Sequence, residues 1–487
     1  MAGWIVVQKT FIDFCGSKYM HPIIKLSKPS KMTDRPSHTQ SINPFTGETI
    51  RRYAYMTDEQ IVQKLEKSDT AYDSWRKVVL SEKENRMMKV AELLTTYKNQ
   101  YAKIISEEMG KPIMQAIAEV EKCAWVCRFY AKNSHTLLQP EIFHTEAHRS
   151  YVRYDSIGAV LAVMPWNYPF WQLFRFAAPN VLIGNTVVLK HASNVTGCAK
   201  EIENIFLRAG YPEGVFQTIV ARSDQIGQVI KNPVIKAASL TGSKAAGQAV
   251  AQQSGAEIKK SVLELGGSNS CVVFDDANLD AYIDTLIWSR FQNTGQSCIA
   301  GKRFIVCPGI YDEFIEKFEK GLANLKVGNP AEEDTDIGPM ATESLAQELK
   351  EQMDQSIQKG AHVLVGGQVE GTRFAPTILT EVTPDMEVFS EETFGPLAAV
   401  IRAQNDDHAI ELSNRSQYGL GVSLFTEDME KVERYIPEIE DGAVFVNELV
   451  KSDPRLPFGG TKNSGYGREL SRAGMREFTN QKTVYIR

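Results

Sequence analysis

The segment IGAVLAVM (157–164) is apolar along almost its whole length and ends just before the motif PWNYP. Three similar runs follow it at short intervals: NTVVLK (185–190), GVFQTIV (214–220) and KAASLTG (236–242). Stretches of helical length separate these runs. Strands that are apolar on both faces are typical of parallel sheets covered by helices. This part of the chain therefore predicts an α/β domain built on a parallel sheet.

The same alternation returns later in the chain. The later runs are SCVVFDD (270–276), KRFIVC (302–307), AHVLVGG (361–367) and GAVFVN (442–447). They predict a second parallel sheet. Because a chain of 487 residues is too long for one hydrophobic core, we expect two α/β domains in series, divided near residue 262.

The sequence before the first strand has a different character. Residues 1–38 show no regular pattern and predict a poorly ordered extension. Thr57–Gln60 and Ser81–Glu84 both match the capping box that starts a helix, so helices are predicted to dominate residues 57–135. Polar and apolar residues alternate in Ser150–Asp155, which predicts an exposed strand or hairpin arm.

The composition is that of a globular protein, with 43% hydrophobic and 23% charged residues. The net charge of -6 predicts no nucleic-acid partner and no attraction to anionic membranes. No apolar run approaches the roughly 20 residues that span a bilayer. The seven cysteines lack regular spacing, which favours reduced thiols and a cytoplasmic location over a disulfide framework.

Two cysteines, Cys123 and Cys127, lie four residues apart on a predicted helix, a spacing that can hold a metal. No histidine or third cysteine lies nearby to complete a ligand set. We therefore interpret the spacing as helix packing and expect no metal.

The loops that follow parallel strands are where such sheets bind ligands. No G-x-G-x-x-G fingerprint is present. Gly242–Gly247 resembles the first half of a phosphate-binding loop, but Gln248 and Ala249 replace the lysine and hydroxyl that would hold phosphate and magnesium. A nucleoside triphosphatase is therefore not expected. A glycine–serine turn that opens a helix can still bind a pyrophosphate through backbone N–H groups.

Cys298 stands among small residues in FQNTGQSCIAGKR (291–303). One interpretation is a small buried residue in a tight turn, since free cysteines are often buried. Open access also suits a nucleophilic thiolate, whose site is expected to lower the thiol pKa. Glu264 follows a predicted strand and can activate water to hydrolyse a covalent intermediate, and the amide of Asn167 can stabilise an oxyanion.

Several motifs occur in the order found in the aldehyde dehydrogenase superfamily: PWNYP, KHAS, TGS, ELGG, GQSC, EETFGP and PFGGTKNSGYGRE. The resemblance runs from about residue 41 to the end of the sequence, and it is greatest to the succinate-semialdehyde dehydrogenase branch. It implies an α/β, aldehyde dehydrogenase-like fold with two Rossmann-like parallel-sheet domains and a small β-hairpin oligomerisation arm.

The resemblance also divides the chain into parts. Residues 39–136 and 156–262 match the dinucleotide-binding domain, residues 263–449 the catalytic domain, and residues 137–155 and 470–487 the oligomerisation arm. Subunits of the family pair through this arm, so a homodimer or a dimer of dimers is expected.

The catalytic residues that the resemblance implies are Cys298, Glu264 and Asn167. Cys298 would add to an aldehyde, and the adduct would pass a hydride to a nicotinamide and leave a thioester. Glu264 would activate the water that releases the acid. The amide of Asn167, with the backbone N–H of Cys298, resembles the oxyanion hole.

The implied cofactor site runs from the adenosine end to the nicotinamide end. Its matching positions are Trp166, Lys190, Ser193, Thr241, Gly242, Ser243, Gly247, Glu392 and Phe394. In NAD-specific sites an acid binds the ribose hydroxyls and repels a 2′-phosphate, and Ser193 occupies the family's position for it. Because Ser193 is neutral and Lys190 lies close by, we expect NADP to be accepted and preferred, although NAD is not excluded.

The substrate is predicted from Arg175, eight residues after Asn167. If a helix covers both positions, they lie about two turns apart and can face one cavity. Arginine binds carboxylates through a bidentate fork, and Ser452 matches a position that assists such binding in the succinate-semialdehyde branch. Gln292 departs from a second arginine that some relatives have. Succinate semialdehyde is the predicted substrate.

Other interpretations stay open. Arg175 can be an exposed arginine in a salt bridge, and the protein can be a broad-specificity enzyme for uncharged or longer aldehydes. A cysteine hydrolase also uses a thiol, but it needs a histidine base, and His191 is the only histidine within a motif. A structural or binding protein on the same fold is the alternative that is not an enzyme.

Overall fold

The computed structural model describes residues 36–487, so the predicted extension over residues 1–38 lies outside the described residues except for its last three. The strands, numbered in chain order, are β1 His38–Ile42, β2 Thr49–Ala54, β3 Glu141–Phe143, β4 Arg149–Ser156, β5 Ala159–Met164, β6 Thr186–His191, β7 Phe216–Thr218, β8 Ile235–Thr241, β9 Lys260–Glu264, β10 Ser270–Val273, β11 Arg303–Val306, β12 His362–Val365, β13 Val369–Glu370, β14 Arg373–Phe374, β15 Thr377–Thr380, β16 Leu397–Arg402, β17 Tyr418–Gly419, β18 Val422–Phe425, β19 Val444–Val446, β20 Thr461–Lys462, β21 Gly465–Tyr466 and β22 Thr479–Ile486. The α-helices are α1 Asp58–Trp75, α2 Leu80–Thr96, α3 Lys98–Met109, α4 Ile113–Leu137, α5 Trp171–Ile183, α6 Thr196–Arg208, α7 Ile226–Lys231, α8 Lys244–Ala256, α9 Leu279–Phe291, α10 Tyr311–Leu322, α11 Glu343–Gln358, α12 Glu387–Ser390, α13 Asp406–Asn414, α14 Met429–Tyr435 and α15 Ser471–Glu477.

The first large sheet has the strand order β21-β9-β8-β5-β6-β7. Strands β5 to β9 run parallel, and β21 joins β9 antiparallel at the edge. The central strand β5 is buried along almost its whole length, as expected for a parallel sheet with helices on both faces. The predicted parallel sheet is confirmed.

The second large sheet has the order β12-β15-β16-β11-β10-β18-β19. All of its neighbouring pairs are parallel except β12 and β15, so the run at 361–367 forms an antiparallel edge strand and not the predicted parallel one. The chain passes from the first sheet to the second between Glu264 and Ser270. The domain boundaries themselves stay predictions.

The helical region before the first sheet contains one of the two predicted capping boxes. Thr57 accepts a hydrogen bond from the backbone N–H of Gln60 and begins α1. The second capping box is wrong, because α2 begins at Leu80 after Val79, and no side chain caps it. Glu84 instead accepts a hydrogen bond from Ser134, and this bond joins α2 to α4.

Helix α5 lies in the interior, and all of its residues from Trp171 to Leu182 are buried. A helix that is apolar on all sides is typically covered by other elements on all sides. Arg175 is the one charged residue on this helix, so its charge is held inside the protein.

The third sheet is small and lies outside the two large ones. Strand β4 pairs antiparallel with β3 on one side and with β22 on the other, over the whole length of β22. The segment Ser150–Asp155, predicted as an exposed strand or hairpin arm, is therefore part of β4. It forms a strand, but most of its residues are half-buried because β4 is the middle strand of this sheet. No helix within residues 36–487 is long and apolar enough to cross a membrane.

Candidate active site

The carboxyl ends of the parallel strands of the first sheet place several predicted residues at one edge. Trp166 follows β5, Lys190 lies near the end of β6, Thr241 ends β8 and Glu264 ends β9. Since these strands are neighbours in the sheet, their ends lie side by side. Such an edge is where open α/β sheets bind ligands.

The turn before Cys298 has a strained backbone. Asn293, Thr294 and Gly295 all have left-handed conformations, with φ values of 55°, 56° and 69°. Such a conformation is uncommon for a residue other than glycine and persists only where its surroundings hold it. Here the Asn293 amide donates to the backbone oxygen of Asn167 at 2.9 Å, and Thr294 accepts a hydrogen bond from the N–H of Gly338 at 3.0 Å. The turn thus fixes the position of Cys298 relative to Asn167.

Cys298 lines two cavities. Cavity A has a volume of about 170 Å³, and its charged and polar lining includes Lys122, Gln172, Arg175, Gln292 and Ser452. Cavity B has a volume of about 270 Å³, and its lining includes Trp166, Asn167, Thr241, Gly242, Ser243, Glu264, Glu392 and Phe394. A thiol shared by two cavities can meet one ligand from each side.

The thiol of Cys298 is not in the pKa-lowering site that the sequence led us to expect. Burial raises the pKa of Cys298, and the nearby charges of Arg175 and Lys302 oppose this rise. Lys302 lies close because its ammonium donates to the backbone oxygen of Cys298 at 3.1 Å. The thiolate is thus favoured by two cations and disfavoured more strongly by desolvation.

Asn167 has a fixed amide orientation. Its Oδ1 accepts a hydrogen bond from Gln172 Nε2 at 3.0 Å, and its Nδ2 donates to the backbone oxygen of Gln296 at 3.1 Å. An amide nitrogen has two hydrogens, so one remains for an oxyanion. Both Asn167 and Cys298 line cavity B, as the predicted oxyanion hole requires.

Glu264 is a buried carboxyl group without a hydrogen-bond partner on either oxygen within residues 36–487. Burial raises its pKa well above the ordinary value, and the neighbouring Glu469 raises it further. A carboxylate with a raised pKa is a stronger base, and the unpartnered oxygens are free to bind a water. The group is therefore suited to general-base catalysis at cavity B.

The lining of cavity B fits a nicotinamide dinucleotide. Thr241, Gly242 and Ser243 lead into α8, whose N–H group at Ala246 donates to the Ser243 hydroxyl, while the N–H groups before it have no intrahelical partner and can bind a phosphate. Glu392 approaches the backbone closely, since a Cβ on Gly266 would lie 2.0 Å from its Oε2. At the same end, the rings of Trp166 and Phe394 meet edge to face at 5.7 Å.

Three predicted cofactor positions do not line cavity B. Lys190 is partly buried, and burial lowers its pKa. Ser193 lines a separate small cavity with Tyr55. Gly247 lies within α8, and a Cβ there would lie 2.6 Å from a methyl group of Leu265. This glycine therefore packs against Leu265 and does not face cavity B.

Arg175 differs from both interpretations of the sequence. Asn167 precedes α5, so the expected two-turn helical spacing does not apply. The guanidinium is not exposed: Nε pairs with Glu469, Nη2 lies 3.4 Å from Thr241 Oγ1, and the group covers the ring of Phe458 at 4.7 Å. Arg175 nevertheless lines cavity A together with Cys298.

Sequence reasoning missed three charged residues of the site. Glu469 ends the motif PFGGTKNSGYGRE, and Lys302 follows GQSC by four residues, so motif proximity was an available signal for both. Lys302 also donates to Glu392 at 2.5 Å, and this bond fixes the position of a residue that is predicted to bind the cofactor. Lys122 lies on α4 outside every motif, and no local pattern indicates it.

Comparison with known proteins agrees with this geometry. The model of the aldehyde dehydrogenase family matches residues 32–484. A protein of Synechocystis sp. named probable succinate-semialdehyde dehydrogenase (NADP(+)) is 44% identical over 449 residues, which cover 92% of this chain and 99% of that protein. Succinate-semialdehyde dehydrogenase (NADP(+)) of Mycobacterium leprae is 43% identical over 452 residues, with the same coverage.

A solved structure is also similar over most of the chain. The crystal structure of succinic semialdehyde dehydrogenase from Streptococcus pyogenes in complex with NADP+ has a TM-score of 0.90 and is 35% identical. The match covers 92% of this chain and 99% of that one. The predicted fold and family are thereby confirmed, and the chain belongs to the aldehyde dehydrogenase family.

Proposed function

We propose that this protein oxidises succinate semialdehyde to the acid with NADP+ as the oxidant. The observation that carries the proposal is the position of Cys298 in the walls of both cavities. Cavity B offers a phosphate-binding helix start, and cavity A offers cationic side chains. An aldehyde with a distant carboxylate can therefore reach the thiol through cavity A while the cofactor occupies cavity B.

The side chains divide the reaction among them. The Cys298 thiolate adds to the aldehyde carbon, and the developing oxyanion accepts hydrogen bonds from Asn167 Nδ2 and the Cys298 backbone N–H. The bound dinucleotide supplies the two-electron oxidation by accepting the hydride. Glu264 then takes a proton from the water that hydrolyses the thioester on Cys298.

The preference for NADP rests on the residues at the adenosine end. Ser193 is neutral, and Lys190, three residues before it, is the predicted cofactor position that has a positive charge. Ser193 does not repel a 2′-phosphate as an acid at this position would. The relatives and the solved structure named above carry NADP in their names, which supports the same choice.

The small third sheet supports assembly into a homodimer or a dimer of dimers. Its strands expose large apolar side chains on β3 and β22, namely Ile142, Phe143, Tyr485 and Ile486. Large apolar side chains that stay exposed to this extent indicate an interaction surface. The cysteines within residues 36–487 are all free thiols, which supports a reducing compartment and a cytoplasmic location.

The test compares two aldehydes of equal length. Purified protein is given NADP+ or NAD+ with succinate semialdehyde or with butanal, and formation of NADPH or NADH is followed by absorbance. We expect a higher kcat/KM for succinate semialdehyde. Equal values would support a broad-specificity aldehyde dehydrogenase, and no NADPH or NADH with any aldehyde would support a structural or binding role.

A further inference from the structure

Lys122 is a cation of cavity A besides Arg175. It lies on α4, and its Nζ donates to Ser452 Oγ at 3.1 Å. The same Nζ lies 4.3 Å from the centre of the Trp171 ring. Lys122, Arg175 and Cys298 all line this cavity, as do Lys111 and Lys451, so Lys122 shares the space that the thiol faces.

The hydrogen bonds of Ser452 leave its hydroxyl hydrogen available. Its oxygen accepts one bond from Lys122 and another from Trp171 Nε1, at 3.0 Å. A serine hydroxyl has two acceptor sites and one hydrogen. With both acceptor sites in use, the O–H can only donate. Within residues 36–487 it has no acceptor, so an anion in cavity A would complete its bonding.

The ammonium of Lys122 lacks a counterion of its own. Within the described part of the chain it forms no salt bridge, and the nearby Asp453 is paired with Arg455 at 2.6 Å. A buried or half-buried charge is costly unless it is paired. The space beside Lys122 is therefore suited to a carboxylate. Gln292, which offers no charge, lines the same cavity.

We propose that Lys122, together with the hydroxyl of Ser452, binds the distant carboxylate of the aldehyde substrate and supplies the positive charge that Gln292 does not. The inference deepens the proposed function and rests on it. Arg175 contributes to the field in cavity A, but Glu469 already neutralises part of its charge. The other cations that line this cavity are paired: Lys111 with Glu119, Lys451 with Glu448 and Arg175 with Glu469. Within residues 36–487, Lys122 is the cation of the cavity that forms no salt bridge.

The experiment removes the positive charge of Lys122 and keeps a side chain of similar length. In Lys122→Met the kcat/KM for succinate semialdehyde should fall about 10- to 100-fold, mainly through KM, because a charge-assisted bond is lost. The value for butanal should stay within about twofold, and Lys122→Arg should restore most of the loss. Lys132→Met is the matched control, since Lys132 lies exposed on the same helix.

A measurement on the unmodified enzyme covers the case in which Lys122→Met does not fold. Burial lowers the pKa of Lys122 to about 8, with a further lowering by Arg175 and opposing effects of Cys123, Asp453 and Glu119. An anion binds the protonated ammonium more tightly. Inhibition by the product succinate, competitive with the aldehyde, should therefore weaken as the pH rises above about 8.

The outcomes separate the two proposals. Equal losses for both aldehydes in Lys122→Met, or no loss for either, would overturn the role of Lys122 and leave the proposed function intact. Succinate inhibition that is constant from pH 7 to 10 would overturn that role as well. A wild-type enzyme without preference for succinate semialdehyde over butanal would overturn the proposed substrate and the role of Lys122 together.

Discussion

The buried pair of Arg175 and Glu469 decides what a substitution of the arginine will do. The two side chains are 3% and 4% exposed, and Nε contacts Oε2. Leucine at position 175 leaves a buried carboxylate without its counterion, and breaking such a pair costs about 3–5 kcal/mol of stability. Arg175 lowers the pKa of Glu469, so its loss raises that pKa. Uptake of a proton then keeps the cost near the lower end of this range.

The effect on activity has two parts. Arg175→Leu should lower activity with both aldehydes, because Arg175 also lowers the pKa of the Cys298 thiol. The acid substrate should lose about 2–4 kcal/mol more in kcat/KM than butanal, because cavity A loses a positive charge that supports the binding of the carboxylate by Lys122 and Ser452. The double variant Arg175→Leu, Glu469→Leu removes both charges. It should regain stability but not the preference for the acid aldehyde.

The assay needs kcat/KM for both aldehydes and thermal unfolding by calorimetry. Arg402→Leu is the matched control, because it breaks an exposed pair with Asp312 and should cost less than about 1 kcal/mol. If the double variant preferred succinate semialdehyde as strongly as the wild type, Arg175 would not contribute to carboxylate binding. If Arg175→Leu were as stable as Arg402→Leu, the energetic account of the pair would be refuted.

Glu264→Gln should give a burst of NADPH and then a stalled thioester, since hydride transfer precedes hydrolysis; stopped-flow absorbance measures the burst, and steady turnover would contradict the role. Burial raises the pKa of Glu264 above 4.5, so the wild type should lose unfolding free energy relative to this variant as the pH rises above that value. Urea unfolding at several pH values checks this, and parallel pH curves would count against it. Ser193→Glu should lower kcat/KM with NADP+ more than with NAD+; equal changes would show that this position does not read the phosphate. Deleting residues 479–487 unpairs one edge of β4 and should change the mass measured by light scattering; an unchanged oligomer would contradict the role of the arm.

Local patterns predicted the framework because a buried parallel strand must be apolar on both faces. Residues 157–164 therefore indicated β5 without any knowledge of its neighbours. The capping box at Ser81–Glu84 failed for a long-range reason. Glu84 binds Ser134, 50 residues away, and the helix begins one residue before Ser81.

The chemistry of the site was less accessible to sequence reasoning. Motifs indicated Cys298 and Glu264, but they did not indicate that burial raises the pKa of both groups. That effect depends on what surrounds each side chain in space. Lys122 meets Ser452 across 330 residues of sequence. No periodicity or spacing in the sequence indicates such a contact. Which charges line cavity A, and which of them are paired, could therefore be learned only from the structure.

The pairing of β4 with β22 also has a consequence for biosynthesis. Asp155 binds Lys482, which lies 327 residues later. At about 5–20 residues per second, the ribosome needs roughly 15 to 65 seconds to make the intervening chain. During that time β3 can cover only one edge of β4, and the other edge is open to pairing with foreign strands. We therefore expect the yield of active enzyme in cells to rise when synonymous codons speed translation between residues 157 and 478.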